Sequence, residues 1–153
     1  MLAANVMSTD LLTLHKDALL KDAISLFRES VLHEFAVVDS AGKLLGEVSS
    51  RSILHRAVPA YASTELLAAM RAGPDIQSVY NNMKAMLDTP LSELMTTDVP
   101  TVLADTPTSA VAAELTQLAG DSSHVYVTDG DSKLLGVISA GDIIRRFSEK
   151  IQI

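Results

Sequence analysis

Apolar residues recur at helical spacing in two places that lie almost ninety residues apart. The first stripe contains Leu19, Leu20, Ala23, Ile24 and Phe27, and the second contains Val111, Leu115 and Leu118. Separations of three and four residues bring apolar side chains to one face of an α-helix. The pattern therefore predicts two helices, each with one buried face.

Short apolar runs on either side of these stripes predict β-strands. In the first half the runs are Thr13-Leu14, 35–38 and 44–46, and in the second half they are Thr101-Val102, 125–128 and 134–136. The last two runs of each half are joined by DSAGK or DGDSK. Because Asp and Gly favour tight reversals, each pair predicts a β-hairpin.

Polar residues that can cap helices stand at matching positions in the two halves. Ser49 and Ser139 follow the hairpins and are expected to cap a final helix in each half. Asp17 and Asp105 can cap the earlier helices, and Thr106-Pro107 offers a second cap with a Pro in the first turn. Each half is therefore predicted to run strand, helix, strand, strand, helix.

The residue identities repeat together with the elements. Met7-Ser8-Thr9-Asp10 and Met95-Thr96-Thr97-Asp98 lie 88 positions apart, whereas the phrases LLGEVSSRS and LLGVISAGD lie 90 apart. The change in offset predicts two extra residues between Asp105 and Asp129, near the end of the second predicted helix, because loops accept insertions. The chain divides into a first repeat at 1–56, a linker at 57–90 and a second repeat at 91–153.

The linker carries helical signals of its own. Leu66, Leu67 and Met70 precede a stop at Gly73-Pro74, and a second apolar face follows at Ile76, Val79, Tyr80, Met83, Met86 and Leu87. Such helices either cover the core of the repeats or form a surface for a dimer or another partner.

Composition narrows the classes of function. Of the 153 residues 48% are hydrophobic, the formal charge is −7 and the pI is about 4.9, a balance that opposes binding to a phosphate backbone. Aromatic residues make up 4% of the chain, with no Trp, so stacking platforms for nucleic-acid bases are scarce. No apolar run approaches the roughly 20 residues that span a bilayer, and the start lacks the pattern of a signal peptide. With no cysteine for disulfides, we expect a cytoplasmic protein without nucleic-acid or membrane partners.

The duplicated M-[ST]-T-D opening, the V-V-D or V-T-D before each turn and the G-h-[VI]-S ending resemble a tandem pair of cystathionine-beta-synthase (CBS) domains, or Bateman module. The resemblance covers essentially all of the chain except the linker. It implies an α+β fold in which two βαββα motifs pack through their sheets about a pseudo-twofold axis, with two clefts between them and the linker helices added. It also implies a stand-alone regulatory module that is not an enzyme, needs no cofactor and binds AMP, ADP, ATP or S-adenosylmethionine. Such a module would act through a client protein or its own homodimer.

The segment from Ser139 to Asp142 is the strongest candidate for ligand chemistry. A hydroxyl and free N–H groups at a helix start favour an anion such as a phosphate. Asp142 lies one turn further on, where its carboxylate can accept both ribose hydroxyls. Ser-x-x-Asp is also an ordinary helix start in which both side chains serve the backbone, and the residues alone leave both interpretations open.

The resemblance extends this site to a full cleft. It implies that the ligand is held by Met7, Asp10, Leu12, Leu32, His33, Ser139 and Asp142. Glu34 stands where an Arg commonly assists a phosphate, so its negative charge disfavours ATP and raises the standing of S-adenosylmethionine. A weaker second cleft would use Ser49, Ser52, Asp98, Pro100, Ser122 and Ser123. Ser52 lacks the ribose carboxylate, which predicts that this cleft is weak or empty.

Rival functions have less support in the residues. The four His residues are not spaced as helix-borne metal ligands, there is no phosphate-binding P-loop, and Ser139 has no evident base, so we expect neither a metal site nor catalytic residues. The main alternative to a ligand sensor is a ligand-free module for dimerisation or protein interaction.

Overall fold

The computed structural model describes residues 1–60, 65, 68–69, 75–119 and 122–152. In the first repeat the elements are α1 (Ala3–Val6), β1 (Thr13–His15), α2 (Leu20–Glu29), β2 (Glu34–Val38), β3 (Leu44–Ser49) and α3 (Ser50–Ala57). The linker contributes α4 (Ile76–Ala85). In the second repeat they are α5 (Leu91–Leu94), β4 (Thr101–Leu103), α6 (Thr108–Thr116), β5 (His124–Thr128), β6 (Leu134–Ser139) and α7 (Ala140–Ile151). The predicted α+β fold is confirmed, and each repeat has the predicted strand, helix, strand, strand, helix order after a short opening helix that was not predicted.

Each repeat forms one three-stranded sheet with the same topology. In the first sheet β2 lies in the middle, parallel to β1 and antiparallel to β3, and β5 holds the same place between β4 and β6. The helices α2 and α6 start 88 residues apart, whereas β2 and β5 start 90 apart. The two extra residues therefore fall between α6 and β5.

The helix starts were predicted with mixed success. Ser49 and Ser139 cap α3 and α7, each accepting a hydrogen bond from the backbone N–H three residues on. The predicted caps at Asp17 and Asp105 are wrong, because α2 begins after Leu19 and α6 begins after Pro107. At α2, Asp22 acts from inside the helix and accepts a hydrogen bond from the Leu19 backbone N–H.

The opening segment of each repeat packs on the other repeat. Ala3 and Val6 lie in the core of the second repeat with Val111, Val125, Val127, Ile138 and Ile143. Leu91 and Leu94 lie in the core of the first repeat with Leu20, Ala23, Val37, Val48 and Ile53. This exchange ties the two repeats together and brings the segment after α1 to the edge of β6, where Ser8 pairs with Val137.

The linker helix α4 packs on α3, and the Asn82 side chain donates a hydrogen bond to the Ala57 carbonyl. Of the predicted apolar face, Val79 is buried and Met86 contacts the core of the first repeat, whereas Ile76 and Tyr80 are exposed. The face therefore covers the core with part of its length. The earlier helical signal at Leu66, Leu67 and Met70 and the stop at Gly73-Pro74 lie outside the described residues. Among the helices that the structure describes, none has the length and apolar character to cross a membrane.

Candidate functional site

A cleft of about 440 Å³ opens between the two repeats. We call it the open cleft. Residues of both repeats line it: Ser8, Asp10, Leu11, Leu12, Val31, Leu32, His33, Glu34, Ala36, Ser123, His124, Tyr126, Val137, Ser139 and Asp142. Its volume lies in the range of pockets that bind small molecules and cofactors. Six of the seven residues predicted for the main site lie in this lining.

The N-terminus of α7 forms one end of the open cleft. The Asp142 carboxylate accepts hydrogen bonds from the Ser139 backbone N–H at 2.8 Å and the Ser139 hydroxyl at 2.7 Å, both at Oδ2. Its Oδ1 accepts one from Arg145 at 3.2 Å. A carboxylate has about four acceptor positions. The two hydrogen bonds from Ser139 and the one from Arg145 therefore occupy three of them and leave Oδ1 able to accept a further donor.

The first repeat supplies an apolar mouth to the open cleft. Leu12, Val31 and Leu32 are exposed there, Val31 at 89%. Asp10 and His33 lie among them and are also exposed. Apolar side chains beside a few polar groups are the usual lining of a small-molecule site.

Met7, the seventh predicted residue, lies outside the lining of the open cleft. Its side chain packs over Gly136, where an added Cβ would come within 2.7 Å of the Met7 Sδ. Met7 also borders a smaller cavity beside Asp142 and Arg145. It therefore supports the strand behind the cleft.

At the wall of the open cleft, four polar side chains, three of them buried and one half-buried, form a cluster that joins the repeats. We call Glu34, Glu47, His124 and Tyr126 the polar cluster. His124 faces Glu34 Oε2 through Nδ1 at 2.5 Å and Glu47 Oε2 through Nε2 at 2.6 Å. The Tyr126 hydroxyl donates to the same Glu47 oxygen at 2.5 Å. Since both ring nitrogens of His124 meet carboxylate oxygens, both act as donors and the ring is an imidazolium.

The cluster shifts the pKa values of its members. Burial alone would lower the pKa of His124, but hydrogen bonds and the negative charges of Glu34 and Glu47 outweigh it and raise the pKa to about 9. Burial would raise the pKa of Glu34, but its hydrogen bonds to His124 and Ser123 and the nearby His charges leave it lowered. Burial and the Glu47 charge raise the pKa of Tyr126. At neutral pH the cluster thus contains a charged His between two carboxylates.

Glu34, Glu47 and His124 also offer a donor set that suits a divalent metal ion, with ligand atoms within 4.8 Å of one another. A metal would need a ring nitrogen of His124 as a ligand. Both nitrogens already donate to carboxylates, so a metal would have to displace a strongly held proton. The geometry fits a closed ion pair better than a metal centre.

The residues predicted for the second cleft do not form a matching set. Ser123 instead lines the open cleft, where its hydroxyl donates to Glu34 at 3.0 Å, so its assignment to the second cleft is corrected. Ser49 and Ser52 bond each other's backbone N–H groups at the start of α3. The remaining residues are Asp98, which is exposed, and Pro100 and Ser122, which are half-buried.

Glu47, His124 and Tyr126 were not among the residues predicted for the site. A signal was present in the offset of 90 residues. It gives Glu47 the position in the first repeat that Val137 has in the second, and gives Tyr126 the position in the second repeat that Ala36 has in the first. Each pair sets a polar residue against a small apolar one. Such a difference within a repeat marks a position where the two halves are used differently.

Comparison with known proteins identifies the family. The family profile of the CBS domain matches residues 3–58 and 91–149. No protein of curated function matches the sequence. Solved structures of CBS pairs match the fold over nearly the whole chain.

Two of these structures carry the name CBSX2. The CBS-pair protein CBSX2 from Arabidopsis thaliana has a TM-score of 0.77 at 19% identity, covering 99% of this chain and 97% of its own. CBSX2 in complex with AMP has a TM-score of 0.69 at 19% identity, covering 99% and 98%.

A third structure is the CBS domain pair of protein MJ0100 in complex with 5′-methylthioadenosine and S-adenosyl-L-methionine. Its TM-score is 0.65 at 22% identity, and the match covers 98% of each chain. At these identities the structures establish a shared fold. Together with the profile match over both repeats, they show that this chain belongs to the CBS-domain family and contains a pair of CBS motifs.

Proposed function

We propose that this CBS pair is a regulatory module that binds one adenosine-containing ligand in the open cleft. The observation that carries the proposal is a cleft of about 440 Å³ in which the capped start of α7 faces an apolar mouth from the other repeat. The helix start supplies Ser139 and Asp142 for a ribose or phosphate, and Leu12 and Leu32 supply apolar surface for a base. CBSX2 with AMP and the MJ0100 pair with two adenosyl ligands support this class of ligand.

The charges of the open cleft favour a ligand with little negative charge. Asp10, Glu34 and Asp142 line it, and the positive charge of His124 is shared between two carboxylates. A triphosphate placed here would meet carboxylates at short range in partly buried surroundings. We therefore rank S-adenosylmethionine and AMP above ADP and ATP.

Titration calorimetry with AMP, ADP, ATP, S-adenosylmethionine and 5′-methylthioadenosine tests the proposal. Methylthioadenosine is an uncharged adenosyl compound, so it separates recognition of the nucleoside from recognition of charge. We expect binding of one molecule per chain, weakest for ATP. No heat and no thermal stabilisation with any of the five would contradict the ligand-sensing function.

A second candidate function is a homodimerisation or protein-interaction module without a ligand. Ile144, Phe147 and Ile151 form a stripe along α7 and are exposed, Ile144 at 68%. Leu54, at the position of Ile144 in the first repeat, is also exposed on α3. Because the same apolar position is exposed on both repeats, a second copy related by a twofold axis could cover both patches.

The dimer can be tested without any ligand. Sedimentation equilibrium of Ile144→Glu is expected to show a monomer where the unaltered chain is a dimer, because a buried charge opposes association. Ile76→Glu, on an exposed residue of α4, is the control and should leave the dimer intact. An unaltered chain that stays monomeric at high concentration would exclude signalling through its own dimer.

A further inference from the structure

The register of the two sheets identifies which residues occupy equal positions in the two repeats. Ala36 on β2 pairs with Glu47 on β3, and Tyr126 on β5 pairs with Val137 on β6. Glu47 therefore corresponds to Val137, and Tyr126 corresponds to Ala36. The edge pairs agree, because Ser8 pairs with Val137 just as Thr96 pairs with Glu47.

This correspondence makes the two clefts differ in free space. Ala36 and Val137 line the open cleft with small apolar side chains, and Tyr126 borders the same cleft from the second repeat. At the positions that correspond to Ala36 and Val137, the chain has the phenol ring of Tyr126 and the carboxylate of Glu47, joined by a hydrogen bond of 2.5 Å. Larger side chains thus stand where the open cleft leaves room for a ligand.

Burial at the two helix starts shows the same difference. Ser139, at the open cleft, is half-buried, whereas Ser49, its counterpart, is 4% exposed. Tyr126 and Glu47 are 3% and 5% exposed. The polar groups that would meet a ligand in the second cleft are therefore covered by the chain itself.

The hydrogen bonds of the polar cluster hold this arrangement in place. A ligand entering the second cleft would have to separate the Tyr126 hydroxyl from Glu47 and weaken the contact of His124 with the same oxygen. Breaking such buried bonds leaves polar groups without partners, which is costly unless the ligand replaces every one of them. Ser52, in the position of Asp142, offers no carboxylate in compensation.

We propose that Tyr126 and Glu47 permanently fill the second cleft, so that the chain binds one ligand and uses the other ligand position to fasten its two repeats together. The number of ligands rests on the proposed function. The filling of the cleft does not, because it concerns contacts within the chain.

The first test is stoichiometry. Calorimetry and equilibrium dialysis with AMP, 5′-methylthioadenosine and S-adenosylmethionine are expected to give one site per chain. Two sites per chain would overturn the filled cleft while leaving ligand sensing in place. Binding of none of them would contradict the proposed function, and the filled cleft would then be decided by the ligand-free test below.

The second test replaces three residues of the filled cleft with their counterparts at the open cleft. The triple variant Glu47→Val, Ser52→Asp and Tyr126→Ala gives each position the residue found at the open cleft. We expect the number of sites to rise from one to two in a variant whose circular dichroism shows it to be folded. Because Tyr126 also borders the open cleft, Tyr126→Ala alone is the control and should still bind one ligand. A folded triple variant that still binds one ligand would overturn the proposal.

A third test needs no ligand and no large change of shape. Glu47→Val is expected to raise the unfolding equilibrium constant about tenfold or more, because it leaves the buried Tyr126 hydroxyl and His124 Nε2 without their acceptor. Tyr126→Phe is expected to raise it less, because Glu47 keeps His124 as a donor. The double variant should be about as destabilised as the less stable single variant, since the two substitutions remove the same hydrogen bond between Tyr126 and Glu47. Tyr80→Phe, on an exposed tyrosine, is the control and should change little. Additive effects of the two substitutions would show that the side chains do not meet and would overturn the proposal.

Discussion

Val137 borders the open cleft on β6, and Glu47 stands at the same position of β3 in the first repeat. Around Val137 the chain leaves a space with an apolar mouth, and around Glu47 it builds a buried network with His124 and Tyr126. The same backbone fold therefore produces an accessible cleft in one place and a hydrogen-bonded contact between the repeats in the other. The difference comes from side-chain size and hydrogen bonding, because strands, register and capping serines are the same on both sides.

The largest loss of stability is expected when the polar cluster loses the positive charge of His124. His124→Ala leaves Glu34 and Glu47 facing each other with no positive charge between them. Removing one partner of a buried ion pair costs about 3 to 5 kcal/mol of the free energy of unfolding. Urea denaturation monitored by circular dichroism measures this loss.

The control for this variant is His55→Ala, which removes an exposed histidine from α3. It should change the free energy of unfolding by less than about 0.5 kcal/mol. Equal effects of the two substitutions would mean that the polar cluster contributes no special stability.

The pH dependence of stability sharpens the same contrast. His124 has a pKa of about 9 in the folded chain, against an ordinary value of 6.5, so its contribution is fully present below pH 6.5 and is lost as the pH rises through 9. At about 1.36 kcal/mol per pKa unit, the loss is roughly 3 kcal/mol. Denaturation curves from pH 6 to 10 should show this fall in the unaltered chain.

His124→Gln isolates the histidine in that experiment, because the other titrating groups stay the same. The variant should be less stable at pH 6 and should lose much less stability towards pH 10. If its curve keeps the full slope of the unaltered chain, the dependence arises from other groups and the assignment to His124 is wrong.

The sequence predicted the repeats well because period and turn residues are local signals. Helical spacing, the Asp- and Gly-containing turns and the serine caps each depend on neighbouring residues, and the structure places them as expected. Asp17 and Asp105 failed as caps because the start of a helix also depends on tertiary contacts. At α2, the Leu20 N–H bonds the Thr89 carbonyl of a distant segment.

Long-range partners explain what the sequence could not show about the site. His124 and Glu47 are 77 residues apart, and no spacing rule connects them. Ser123 was assigned to the second cleft by analogy with the other repeat, yet its hydroxyl faces Glu34 and the open cleft. Residues near a pseudo-twofold axis can face either cleft, so repeat symmetry alone does not decide between them.

A paired substitution at the two helix starts compares the clefts as binding sites. We expect Asp142→Ala to weaken binding of the best adenosyl ligand by about ten- to more than a hundredfold, because hydrogen bonds to a charged group contribute about 1.5 to 3 kcal/mol. Ser52→Ala removes the equivalent side chain of the other repeat and should leave the affinity nearly unchanged. Calorimetry on both variants measures the two affinities.

Since both residues also serve helix caps, thermal denaturation must show that each variant stays folded at the temperature of the titration. Equal losses of affinity would mean that the ligand contacts both helix starts. Loss on Ser52→Ala alone would place the ligand in the cleft that we infer to be filled.

The smallest expected contrast concerns the two glycines over which the opening segments cross. A Cβ at Gly46 would lie 2.5 Å from the Thr96 carbonyl oxygen, whereas one at Gly136 would first meet the flexible Met7 side chain at 2.7 Å, with the Ser8 carbonyl at 2.9 Å. Overpacking costs about 1 to 3 kcal/mol, and we expect Gly46→Ala near the upper end and Gly136→Ala below it, because a side chain moves more easily than a paired backbone. Gly130→Ala, where the added Cβ meets nothing within 4 Å, should change the free energy of unfolding by less than about 0.5 kcal/mol in the same urea titrations. A larger loss at Gly136 than at Gly46 would show that the strand beside the open cleft is the more rigid of the two, the reverse of what the fastened interface requires.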